Sequence, residues 1–107
     1  MKKKHFTGIP PELYKEIKAV SNNVPKFLRH LLITFRPEIL FEDLMYSSWN
    51  QKVISIAATD QVCKIAEELM AQYEVTNLSA LYRSLAHTYF VTKGGGRVSF
   101  FESPNSP

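Results

Sequence analysis

The stretch Lys52–Phe90 reads as one short strand followed by two amphipathic helices, and that lone strand is what most limits how the chain can fold. Ile54, Ile56 and Ala58 alternate with Val53, Ser55 and Ala57, the two-residue period of a pleated strand. Thr59 and Asp60 then offer side-chain oxygens to a helix start, and Val62, Ile65, Ala66, Leu69 and Tyr73 recur on one helical face. Val75-Thr76-Asn77 breaks the run, after which Leu78, Leu81, Tyr82, Leu85 and Tyr89 build a second stripe. An isolated strand leaves its backbone N–H and C=O groups unsatisfied, so this unit requires a second strand from elsewhere.

The start of the chain supplies one. Lys3-Lys4-His5-Phe6-Thr7-Gly8-Ile9 reads as strand, Pro10-Pro11-Glu12 as helix start, Leu13, Ile17 and Val20 as its buried face, and Asn22-Asn23 as turn and cap. Val24, Phe27, Leu28, Leu31, Leu32 and Phe35 then form the cleanest amphipathic stripe in the chain. Pro10 matches Thr59 at an offset of 49, whereas Asn22 or Asn23 matches Thr76 at 54 or 53. The second copy is thus longer by roughly one helical turn, which keeps its apolar faces in phase. The expected pairing is antiparallel, Lys3–Gly8 against Lys52–Ala57.

Two strand-helix-helix repeats, 1–36 and 51–92, joined by a linker at 37–50, are expected to form a single domain over 1–93. Leu40, Phe41, Leu44 and Met45 have helical spacing and, with Trp49, predict a short extra helix on the shared core. Residues 94–107 read as a flexible tail. Gly94-Gly95-Gly96 forms a hinge, and Phe100-Phe101 beyond it suits a docking segment, an edge strand or disorder equally well.

Bulk composition narrows the classes further. A length of 107 residues with 45% hydrophobic and 12% aromatic content belongs to a folded protein with a modest core, small enough that an isolated half would be marginal. A net charge of +3 and a pI near 9.1 suit a polyanionic partner without demanding one. Cys63 is the single cysteine, which rules out an internal disulfide or a cysteine-rich zinc site, and its place in a helix predicts a buried or half-buried thiol. His5, His30 and His87 fall on three different elements without metal-binding spacing. Glu42-Asp43 and Glu67-Glu68 are adjacent on helices and point apart, and no phosphate loop or nucleophile elbow appears. The expectation is a non-enzymatic binding protein without cofactor or metal. No apolar run approaches a membrane span, and the lysines at the start precede no signal-peptide core, so a cytoplasmic location without membrane association is expected.

The pattern Ile9-Pro10-Pro11-Glu12-Leu13 after a basic strand, with Val75-Thr76-Asn77, Ala80-Leu81 and Ser84-Leu85 in the second copy, resembles the ribbon-helix-helix proteins of the Arc, MetJ and CopG type. The doubling looks like the tandem, TraY-like arrangement of conjugative plasmids. The resemblance covers about 75 of the 107 residues. It implies a mainly α fold with a two-stranded antiparallel ribbon, one chain forming a ribbon-helix-helix pseudo-dimer. It also implies a transcription regulator or accessory protein of plasmid or phage type, which inserts the ribbon into the major groove of double-stranded DNA as a monomer or as a higher assembly on DNA.

With Ile9 inward, the base-facing set is Lys4, Phe6 and Gly8 on one strand and Val53, Ser55 and Ala57 on the other. Lys4 suits guanine O6 or N7 and Phe6 a thymine methyl, but Ser55 is the second strand's only hydrogen-bonding side chain there, where family members usually carry polar or basic residues. The resemblance places phosphates at the starts of the second helices, against Asn22, Asn23 and Lys26 at one and Thr76, Asn77 and Ser79 at the other. Lys2, Lys3 and Lys52 are further phosphate contacts. Simple capping by these asparagines and this threonine holds with or without DNA. The apolar outward face supports an alternative, a degenerate scaffold that binds a protein partner, as an inhibitor or antitoxin-like protein would, through Phe6, Val53 or the Phe100-Phe101 tail.

Overall fold

The computed structural model describes residues 3–41 and 51–92. Within them the chain is mainly helical with one two-stranded sheet: β1 (Lys3–Ile9), α1 (Pro11–Val20), α2 (Val24–Thr34), β2 (Lys52–Ala58), α3 (Asp60–Gln72) and α4 (Leu78–Val91). The strands pair antiparallel over their whole length, Lys3 opposite Ala58 and Ile9 opposite Lys52, which is the expected pairing extended by one residue at each strand's end.

Local chemistry sets the boundaries. Pro11 opens α1, where its missing N–H costs nothing. The Asn23 side chain caps α2 by accepting from the Lys26 amide at 3.0 Å, Thr59 caps α3 through the Val62 amide, and Asn77 caps α4 through the Ala80 amide at 3.1 Å. Pro37 forbids continuation of α2, and Arg36 covers its open end by donating from Nη1 to the carbonyls of Leu32 and Phe35 at 2.8 and 2.9 Å. The offset between the halves resolves into two parts. Helix α3 has 13 residues against 10 in α1, and the turn after it is longer. That turn holds Glu74 at φ 57°, with the Val75 amide closing on the Met70 carbonyl at 2.9 Å, a left-handed helix end of the kind glycine usually provides.

The two halves are interleaved. Strand β1 lies mainly on α4 and β2 mainly on α2, so each strand packs against the closing helix of the other half. One continuous core results, with Ile9, Leu13, Ile17, Leu28 and Leu32 from the first half meeting Ile56, Leu81, Tyr82 and Leu85 from the second. Helix α4 is its centre: Leu81, Tyr82, Ser84, Leu85, Ala86, His87 and Thr88 are all buried.

One expectation needs correction, and that of a short extra helix is tested only at residues 37–41, since 42–50 lie outside the described residues. Val20 was expected on the buried face of α1, yet it is 58% exposed, because α1 ends there and the residue clears the core that covers Leu13 and Ile17. The connection after α2 forms no helix at residues 37–41. Instead it is pinned to the second half: the Tyr73 hydroxyl donates to the Pro37 carbonyl at 2.6 Å, and the Phe41 amide donates to Thr88 Oγ1 at 2.9 Å. Leu40 packs on the core, whereas Leu44, Met45 and Trp49 lie outside the described residues. So do Lys2 and the tail bearing Phe100 and Phe101.

Candidate nucleic-acid interface

The pleat sorts the sheet into two faces. Across the register, Lys4 stands opposite Ala57, Phe6 opposite Ser55 and Gly8 opposite Val53, which brings all six expected outward residues onto one face. Five of them are exposed and Gly8 is half-buried. Phe6 is 59% and Val53 72% exposed. They are diagonal neighbours across the ladder, close enough for their side chains to form one apolar patch.

The opposite face anchors the sheet. Thr7, Ile9, Ile56 and Ala58 are buried, and Ile54 packs against the core. Thr7 Oγ1 donates to the Ser79 carbonyl at 3.4 Å, and the Ser79 hydroxyl donates to the Phe6 carbonyl at 3.3 Å. These two bonds fasten the first turn of α4 to the middle of β1. Arg83, one turn further along α4, donates from Nη1 to the Gly8 carbonyl at 3.3 Å. Edge carbonyls of β1 are thereby satisfied by a helix of the other half.

His5 is a third anchor. Its Nδ1 is 2.9 Å from the Tyr82 hydroxyl and its Nε2 is 3.5 Å from Cys63 Sγ, so one imidazole joins β1 to both α4 and α3. The rings of His5 and Tyr82 also meet edge to face. Burial holds the His5 pKa below its ordinary value. Burial chiefly, then the nearby Cys63 sulfur, raises the Tyr82 phenol well above its ordinary value, with Arg29 acting in the opposite sense.

The helix starts differ in what they can offer an anion. At α4, Asn77 takes the Ala80 amide and leaves the Leu78 and Ser79 amides at the positive end of the helix. Ser79 contributes through that amide, since its hydroxyl proton is directed to Phe6. At α2, Asn23 takes the Lys26 amide and Pro25 has none, so only the Val24 amide remains in the first turn and the Lys26 ammonium has to carry the charge. Asn22, Asn23, Lys26, Thr76 and Asn77 are all exposed, as are Lys3 and Lys4 on β1. Lys52 is exposed too, with its ammonium 5.0 Å from the centre of the Tyr14 ring.

Arg83 and the His5–Tyr82–Cys63 cluster were not legible as site features in the sequence. Alternation places His5 inward, but nothing in the spacing indicates which residues meet it. Pro25 was not singled out in the sequence, although a proline in the first turn of a helix removes an amide from its anion-binding end and was a signal that could have found it. No protein-family model matches this chain, and no curated protein or solved structure was found to match it.

Proposed function

We propose that this chain is a small DNA-binding regulator or accessory protein in which the two halves together make one ribbon-helix-helix unit, and that β1 and β2 enter the major groove. The observation that carries the reading is the outward face of the sheet: Lys4, Phe6, Val53, Ser55 and Ala57 present side chains, and Gly8 only backbone beside the Gln51 side chain, along a ladder whose other face is locked to α2 and α4. A two-stranded ribbon fits the major groove, and residues on one face of it meet base edges at the spacing of the pleat. Lys4 provides the strongest base-edge donor, Phe6 and Val53 apolar contacts for thymine methyls, and Ser55 a hydroxyl that suits any base. Lys3, Lys26 and Lys52 with the start of α4 supply the phosphate contacts. Because the halves are unequal, the natural target is an asymmetric site or direct repeats, where a homodimer would favour a palindrome.

The test is a set of binding titrations against genomic duplex fragments at two salt concentrations. At least one fragment should bind far more tightly than the roughly 10⁻⁴–10⁻⁶ M of non-specific contact at physiological salt. Binding no tighter than that for every fragment overturns the DNA reading.

A second reading is favoured by the exposure of Phe6 and Val53, two large apolar side chains side by side on a face with one lysine. In it the same scaffold binds a protein partner through that patch. Phe6→Ala or Val53→Asp then abolishes partner binding while Lys4→Ala leaves it unchanged.

A further inference from the structure

Away from the sheet, the end of α1 and the outer side of α2 enclose an open groove that the DNA reading does not use in full. Val20, Lys26, Phe27, Arg29, His30 and Ile33 line it. Its cations account for a polyanion, but its apolar part does not: Val20 is 58% and Ile33 41% exposed, and Phe27 extends the floor until it stacks on Phe90 at 6.1 Å between ring centres. Among the described residues no carboxylate lines this groove. The surface that covers it should be acidic, helical in scale and mildly apolar.

The chain carries such a surface on α3. Val62, Ala66 and Leu69 turn that helix inward, leaving Asp60, Gln61, Lys64, Glu67, Glu68, Ala71 and Gln72 outside, with Glu74 just beyond its end. Four carboxylates thus stand against one lysine, and Ala71 with the half-buried Ile65 and Met70 provides apolar area among them. Because α2 and α3 turn their apolar sides into one shared core, both surfaces lie on the outside of the same packed body, and one molecule cannot close the two together. Two molecules can.

We propose that the α1–α2 groove of one copy receives the outer face of α3 of a second copy. The contact is head to tail, so each molecule keeps one free groove and one free α3, and association continues past the dimer. Lys26, Arg29 and His30 face Glu67, Glu68 and Glu74 across it, while Val20 and Ile33 lose their exposure. The contact shares Lys26 with the DNA reading but is tested without nucleic acid, so the two stand or fall separately.

The test is sedimentation velocity of the full chain without nucleic acid, over a range of protein concentrations at low and high salt. The mean mass should rise with concentration beyond that of a dimer and fall as salt is added. Lys26→Glu with His30→Glu reverses the groove, and Glu67→Lys with Glu68→Lys reverses α3. All four positions are exposed on helices, and glutamate suits the first turn of α2, so folding should persist and circular dichroism checks it. Each double variant alone should associate at least about tenfold more weakly, because like charges then face each other. An equal mixture of the two should recover wild-type association, since every groove again meets an opposite α3. A wild type monomeric at all concentrations in low salt, a mass that stops at the dimer, or folded variants that fail to complement each other overturns the proposal.

Discussion

His5 and Tyr82, 77 positions apart in the chain, meet at 2.9 Å between the imidazole Nδ1 and the phenol oxygen. The contact fixes the first strand to the central helix of the other half, and Cys63 on α3 closes the arrangement at the other ring nitrogen. A neutral imidazole satisfies both neighbours in either tautomer, because the tyrosine and the cysteine can each donate or accept.

This predicts a pH dependence of stability. Burial lowers the His5 pKa in the folded protein, so folding disfavours the protonated ring. The contribution of neutral His5 is complete above the ordinary histidine value near 6.5 and is lost as pH falls from there through the lower folded value. Denaturant melts between pH 7.5 and 5.5 should show wild type losing more stability than His5→Gln. Parallel losses in the two proteins would place the dependence elsewhere.

The shared core makes a second prediction. Leu31→Asp or Leu85→Asp buries a carboxylate without a partner, at a cost of several kcal/mol, on the order of the whole stability of a small domain. Either substitution should unfold both halves, although Leu31 belongs to one and Leu85 to the other. Wild type should melt in a single transition, and two resolved transitions would contradict the interleaved core.

Helix starts offer a graded test. Asn23→Ala and Asn77→Ala each remove one side-chain acceptor from an otherwise unpaired amide, and each should cost about 0.5–2 kcal/mol in chemical denaturation. Thr76→Ala should cost much less, since Asn77 and not Thr76 provides the cap of α4.

Glu74 predicts a gain. A side chain at positive φ clashes with its own backbone, which glycine avoids. Glu74→Gly should raise stability by about 1 kcal/mol, the lower end of the strain such a residue bears. An unchanged or lower midpoint in denaturant would show that the turn is not strained.

For DNA, the two classes of lysine should separate. Lys4→Ala should weaken specific binding by about 1–3 kcal/mol and relax preference at one base position. Lys26→Ala should weaken all sequences alike and reduce the salt slope by about one unit. Equal behaviour of the two variants across sequences would remove base reading from Lys4.

The strands and their antiparallel pairing were legible because Ile54, Ile56 and Ala58 recur at the period of a strand and each strand needed a partner that only the other could supply. Helix starts were legible from Asn23, Thr59 and Asn77. The depth of α4 was not, because Ser84, His87 and Thr88 look like solvent residues; they are buried because β1, α1, α2, α3 and the segment around Phe41 surround that helix. Val20 failed for the opposite reason, since periodicity carries no information on where the covering layer stops. The outward face was legible residue by residue, whereas the bonds from Ser79 and Arg83 that hold it depend on tertiary contacts more than 70 positions apart.

The interleaving also sets an order of events during synthesis. Strand β1 is made first, yet the helix on which it rests is the last one described, so at about 5–20 residues per second some 4 to 16 seconds separate Ile9 from Thr88. Throughout that interval the inward side of β1, with Thr7 and Ile9, lacks the helix on which it mainly packs, while the apolar side of α2 is covered earlier, by β2 and then α3. The growing chain therefore carries a sticky, half-built sheet until α4 arrives as its keystone. A nascent-chain chaperone has its opportunity in that interval, and slowing translation within the second half should raise the yield of aggregate more than slowing it after α4.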